Sequence, residues 1–245
     1  MSKIVLLALL IVTCIHLCDC FRDDPRRNKT KPFLLLLILA WYLLAEKGEI
    51  NRFLVLALIA SWIGDVLLIL PGNKWFMIGG TSFLLSHIFF ILTYLENIRD
   101  YLIQHLTFIP GTAGMVQVIE TEGVRGINDG LVLLVAAVLY GGITFLVMRA
   151  VAPHTPKSMV LPMGLYLVTN SLMNLGALIQ WLISGSIYAV VAWIGALLFF
   201  VSDCLLFLVR YHEKKDLIPR RHFLVMLAYI AGELLITVGI WGILR

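Results

Sequence analysis

The stretch Ser61-Trp62-Ile63-Gly64-Asp65-Val66-Leu67-Leu68-Ile69-Leu70 sets one carboxylate inside an apolar run and closes on the polar turn Pro71-Gly72-Asn73-Lys74. The run reads as a membrane span. An acid at such a depth costs at least ~2.5 kcal/mol on insertion scales, so it is expected to face a bundle interior or a wet cavity. Nearly the same pattern returns at Phe199-Phe200-Val201-Ser202-Asp203-Cys204-Leu205-Leu206-Phe207-Leu208, ahead of Arg210-Tyr211-His212-Glu213. Two acids in matched membrane settings mark a functional site.

Composition agrees with the span reading. With 60% apolar and 14% charged residues and a mean hydropathy of +0.94, the chain carries far more apolar surface than a soluble core of 245 residues can hide. The formal charge of +4 does not point to nucleic acid, because the basic residues sit in short connections, where they act as orientation signals. Cys14, Cys18, Cys20 and Cys204 are too few and too apolar in setting for a disulfide framework or a cysteine zinc site.

The expected fold is all-α, a single polytopic membrane helix bundle over residues 1–245. Its apolar runs cover about 4–20, 33–45, 53–70, 75–95, 129–148, 158–180, 187–209 and 222–244, eight spans if the first is kept. Lys3 followed by residues 4–20 also fits a cleavable signal peptide. Residues 97–128 are expected to form a longer loop, with the polar stretch from Tyr101 to Ile119 inside it. Of the nineteen Lys and Arg residues, thirteen fall in the odd-numbered connections. Positive-inside then places those connections in the cytosol.

This topology fixes depths. At ~1.5 Å per residue, Asp65 lies roughly 9 Å from Pro71 and Asp203 roughly 10 Å from Arg210, in the same leaflet. His87, Asn170 and Glu233 enter from that side and sit deeper, some twelve or thirteen residues inside their spans. The two acids also stand on the third span of each half of the chain. That echo is compatible with two parallel four-helix repeats, with a site formed between them.

Further residues form an ordered set along the spans: Lys31-Pro32 opening the second, Ser61 with Gly64-Asp65 on the third, Gly79 to Phe83 with Ser86-His87 on the fourth, and Leu161-Pro162 with Tyr166 and Met173 on the sixth. Gly195 to Phe199 with Ser202-Asp203 on the seventh and Tyr229 with Ala231-Gly232 on the eighth complete it. In order and spacing the set resembles the YhhN-like lysoplasmalogenase family of integral membrane proteins. The resemblance runs from about residue 31 to 240 and favours keeping the first run as a span. Two departures stand out: Glu233 occupies a position that is more often a neutral amide or imidazole, and the 97–128 connection is longer than usual.

The resemblance implies hydrolysis of the vinyl ether bond of lysoplasmalogens, releasing a fatty aldehyde and glycerophosphoethanolamine or glycerophosphocholine. It implies a lysophospholipid substrate and no cofactor, in the endoplasmic reticulum membrane of a eukaryote or the inner membrane of a bacterium. The chemistry suits two buried carboxyls. Vinyl ethers hydrolyse by protonation at the outer carbon, giving an oxocarbenium ion that water captures, and glycosidases divide related work between two acids. Asp65 and Asp203 are therefore the candidate catalytic residues, one giving the proton and the other staying ionised to steady the cation and orient water. Asp65 is slightly favoured as the acid, because Ser202 beside Asp203 has a hydroxyl with which to keep that carboxylate charged.

Candidate substrate-binding residues are His87, Asn170, Glu233, Ser202, Tyr166 and Lys31. Each has a structural alternative. Paired acids can glue helices together, His87 fits a satisfied interior histidine, Asn170 and Asn174 sit one turn apart as packing hydrogen bonders, and Lys31 suits an interfacial anchor as well as a phosphate contact. No serine has the His and Asp neighbours of a nucleophile. Three histidines cannot be gathered at one depth for a catalytic zinc, which leaves a hard cation held by Asp65, Asp203 and Glu233 as the metal alternative. The competing function is a proton-coupled secondary transporter, for which midplane acids, Pro162 and the pairs Gly79-Gly80 and Gly141-Gly142 equally speak. A non-catalytic lipid-binding scaffold gives no reason to bury two acids.

Overall fold

The computed structural model describes residues 1–46, 48–107, 117–118, 127–214 and 218–244. Among them are eight α-helices: α1 (Ser2–Phe21), α2 (Arg27–Ala45), α3 (Arg52–Leu67), α4 (Asn73–His105), α5 (Ile127–Val151), α6 (Lys157–Ser184), α7 (Ile187–Tyr211) and α8 (Arg221–Ile243). Strand is confined to β1 (Leu106–Thr107) and β2 (Gln117–Val118), antiparallel, with Leu106 opposite Val118. Seven helices are long and apolar enough to cross a membrane. The eighth, α3, has 16 residues, short of the ~20 that cover a hydrocarbon core. The chain is an all-α, multi-pass integral membrane protein.

Three boundaries depart from expectation, each for a local reason. α2 begins at Arg27 and not at 33, because Arg and Lys are good helix formers whatever their hydropathy. α3 stops at Leu67 and passes through turn bonds, Ile69 to Val66 and Leu70 to Leu67, since Pro71 disfavours a helical residue before it. α4 runs on to His105 instead of ending near 95. The polar residues from Glu96 to Asp100 end the apolar run without ending the helix, so the first third of the expected 97–128 loop is helical. The remainder at 108–116 and 119–126 lies outside the described residues.

The helices pack in a pattern that repeats between the halves. α3 lies along α4 and α7 along α8 as the two most extensive pairs, α1 lies along α2 and α5 along α6, and α4 meets α6 across the middle. α2 and α6 each carry a proline at their sixth position, Pro32 and Pro162. α5 touches only α6, α7 and the 3-10 turn that follows it among the main contacts, and it presents Leu134, Val138 and Phe145 outward, more than 60% exposed, as a lipid-facing side does. The odd-numbered connections meet at one end of the bundle: Arg210 of α7 donates to the Asn73 side chain at the start of α4 (3.2 Å), and His222 of α8 lies 3.7 Å from Asp23 after α1.

Candidate functional site

Asp65 stands two residues before the end of α3 and is 1% exposed. One carboxyl oxygen, Oδ1, lies 3.0 Å from Lys31 Nζ of α2, and the other accepts a 2.9 Å hydrogen bond from the Tyr229 hydroxyl of α8. The expectation that Lys31 snorkels outward as an interfacial anchor is corrected. Because α2 starts at Arg27, Lys31 sits a full turn inside the helix, and its ammonium turns inward to the acid. Gly64 lets this end of α3 close on α4, where a Cβ would come within 2.6 Å of the Phe83 ring.

Asp203, eight residues inside the end of α7, is held differently. Its Oδ2 accepts hydrogen bonds from the Tyr166 hydroxyl and from Asn170 Nδ2 of α6, both at 2.7 Å. Asn174 in turn donates to the side-chain oxygen of Asn170 (3.0 Å), fixing that amide. His87 of α4 brings Nε2 to 3.6 Å from the same Oδ2, beyond hydrogen-bond length, and its ring lies edge-on to Tyr166 and tilted against Phe199. Ser202 does not hold Asp203 as expected. Its hydroxyl donates to the Val225 carbonyl of α8 (2.9 Å), because side chains at adjacent helical positions point about 100° apart.

Both acids line one cavity of about 540 Å³, within the range of small-ligand sites. Lys31, Ser202, Tyr229 and Phe83 share its wall, while Tyr166, Asn170 and His87 stand behind Asp203 and Glu233 does not reach it. Glu233 is fully buried; neither of its carboxyl oxygens makes a hydrogen bond of full geometry, with the Ser61 hydroxyl the polar group facing them. Ser61 itself is paired with Ser86 across α3 and α4 (2.7 Å). Among the described residues no three His, Cys, Asp or Glu side chains converge as a metal-ligand set, so Asp65, Asp203 and Glu233 do not form one.

Of the eight candidates, the structure therefore places three (Tyr166, Asn170 and His87) around Asp203, Lys31 on Asp65, and Ser202 on the cavity wall, and leaves Glu233 apart. It adds Tyr229. That residue precedes Glu233 by one helical turn, and its depth, equal to that of Asp65 in a span of opposite direction, was the available signal. The cavity can desolvate a small reacting group between one carboxyl tied to a cation and one tied only to neutral donors.

No curated protein and no solved structure matches the chain. The family comparison does: the model of the YhhN family matches residues 27–240, most of the chain and every element that builds the cavity except α1, and the protein belongs to that family.

Proposed function

We propose that the protein is a lysoplasmalogenase, hydrolysing the vinyl ether of a lysophospholipid to a fatty aldehyde and the glycerophospho-alcohol. Family membership supports the reaction class. The observation that carries the chemistry is the unequal partnering of the two acids on one cavity. Asp65 has a cation at 3.0 Å, so its charge is compensated where it is buried. Asp203 has two neutral donors and no cation in hydrogen-bond range, the setting of a carboxyl that carries its proton. Both donors fall on Oδ2, which leaves Oδ1 for that proton. This assigns the acid to Asp203, opposite to the preference drawn from Ser202.

Asp203 then gives its proton to the outer vinyl carbon, and the ether oxygen shares the resulting positive charge. The new Asp203 carboxylate and Asp65 lie on the same wall and stabilise the cation. Water adds to the cationic carbon and returns a proton to Asp203, and the hemiacetal collapses to aldehyde and alcohol. One water is consumed and the enzyme is unchanged. Tyr166 and Asn170 position the acid, and Lys31 with Tyr229 fixes the ionised partner.

Glu233, buried without a cation, favours the carrier reading. Aldehyde release from lysoplasmenylethanolamine by the purified protein in detergent separates the two, since a carrier needs two compartments. Turnover by the wild-type protein is expected, and silence on every vinyl ether lysolipid rejects the enzyme.

A further inference from the structure

The end of α1 stands between two hollows. Its buried side chains, His16, Asp19 and Cys20, recur at helical spacing on the side toward the bundle, and His16 and Cys20 line the cavity that holds the two acids. On the other side Leu17, Cys18 and Phe21, with Arg22 and Phe223 of α8, line a second, apolar hollow of about 250 Å³. Cys18 and Phe21 are exposed there, on the side that meets lipid. One helix thus separates the bilayer from the acids' cavity.

This partition is fastened unequally. Toward α2 it is tied by the connection at 22–26, by the ion pair of Asp23 with Arg27 (3.0 Å), and by His16, whose Nδ1 lies 2.8 Å from the Thr30 hydroxyl. Thr30 precedes Lys31, the residue that holds Asp65, so the inner face of the turn stands beside that pair. Toward α8 the turn meets Phe223 edge-on through the Phe21 ring (5.6 Å) and Arg220, whose guanidinium lies 4.0 Å over the same ring, while His222 is 3.7 Å from Asp23. α1 also packs along α2 more extensively than along α8. Aromatic and cation–π contacts at a helix end part more readily than a packed, covalently linked pair, so the α8 side is the one that opens.

A single-chain lipid has a physical reason to use that side. Its chain lies among bilayer tails, whereas the cavity mouth lies among polar connections, and a route through the mouth exposes the chain to water methylene by methylene. Between α1 and α8 the chain stays against apolar groups until it reaches the acids' cavity.

We propose that the hollow between α1 and α8 is the entry site for the chain of a lysophospholipid, which passes sideways from the bilayer into the main cavity as the last turn of α1 swings away from α8. The identity of the lipid rests on the lysoplasmalogenase reading.

Association and dissociation of a fluorescent, ester-linked lysophosphatidylethanolamine, measured on the full chain in lipid nanodiscs, test the route without turnover. Phe21→Cys with Phe223→Cys, in a chain also carrying Cys14→Ala and Cys18→Ala, is bridged by a short bis-methanethiosulfonate reagent that dithiothreitol removes, with each single cysteine as control. Both rates are expected to fall about tenfold or more on bridging, to recover on reduction, and to leave the equilibrium affinity unchanged, since a barrier acts on entry and exit alike. If the double variant does not fold, Phe21→Ala reads the same partition, and there both rates should rise several-fold. Bridged rates equal to the reduced ones, a loss of affinity with unchanged association, or unchanged rates in Phe21→Ala overturn the portal. Rates that answer to the bridge in a protein that cleaves no vinyl ether refute the hydrolase and keep the portal. Turnover of lysoplasmenylethanolamine with rates indifferent to the bridge does the reverse.

Discussion

Lys31 and Asp65 are joined at 3.0 Å with the carboxylate buried and the ammonium half-buried, and the two ends of such a pair cannot be removed singly at low cost. Lys31→Met leaves a buried carboxylate without its cation and is expected to lose ~3–5 kcal/mol, whereas Lys31→Met combined with Asp65→Leu should recover most of that. Unfolding of both variants in detergent checks the pair, and equal losses would show that it contributes nothing as a unit. At Asp203 the donors are neutral, so Tyr166→Phe is expected to cost only ~1 kcal/mol of stability while lowering turnover by misplacing the acid. A rise in KM with kcat unchanged would instead assign Tyr166 to binding. The two acids were legible in the sequence because a charge interrupting an apolar run is visible at any register. Lys31 was misread because its aim depends on where α2 begins. Tyr229 is legible only by its depth, because a tyrosine among apolar residues carries no sign of what its hydroxyl meets.

The two acids reach one cavity because particular helices come close. On α7, a Cβ at Gly195 would lie 2.6 Å from the Ile236 nitrogen and 2.8 Å from the Gly232 oxygen of α8, so these backbones touch without side chains between them. The contact sits eight residues inward of Asp203 on α7 and three to seven residues inward of Tyr229 on α8, which couples the helix of Asp203 to the helix that carries the tyrosine partner of Asp65. Gly195→Leu is expected to force α7 and α8 apart at a cost of ~1–3 kcal/mol or more and to abolish aldehyde release, read as a fall in melting temperature together with activity. Retained activity at unchanged melting temperature would deny this role. Small residues in this register are visible in the sequence, yet their partner helix is not, since any of seven other spans offers a face. Helix existence was likewise legible from hydropathy, while the ends of α2 and α4 were not, because hydropathy measures where lipid is and helices continue past it.

Across the whole molecule, each acid on the third helix of its half is held by the second helix of that half and approached by the fourth helix of the other. Asp65 meets Lys31 of α2 and Tyr229 of α8; Asp203 meets Tyr166 and Asn170 of α6 and His87 of α4. The site thus lies between halves arranged as a parallel duplication leaves them, and it opens at the end where the basic connections gather. Positive-inside predicts that this end is cytosolic. A cysteine placed at Lys74 or Ala152 is expected to react with impermeant maleimide only from the cytosolic side, and one at Gly48 only from the opposite side; the reverse labelling would invert the protein. The most direct measurement on the central claim is aldehyde release in detergent by folded Asp203→Asn beside the wild type. With Asp203 as the acid, the wild type turns over lysoplasmenylethanolamine and the variant loses ~10²- to 10⁴-fold, the share general acid catalysis supplies. Turnover within a few-fold of wild type in Asp203→Asn would contradict it.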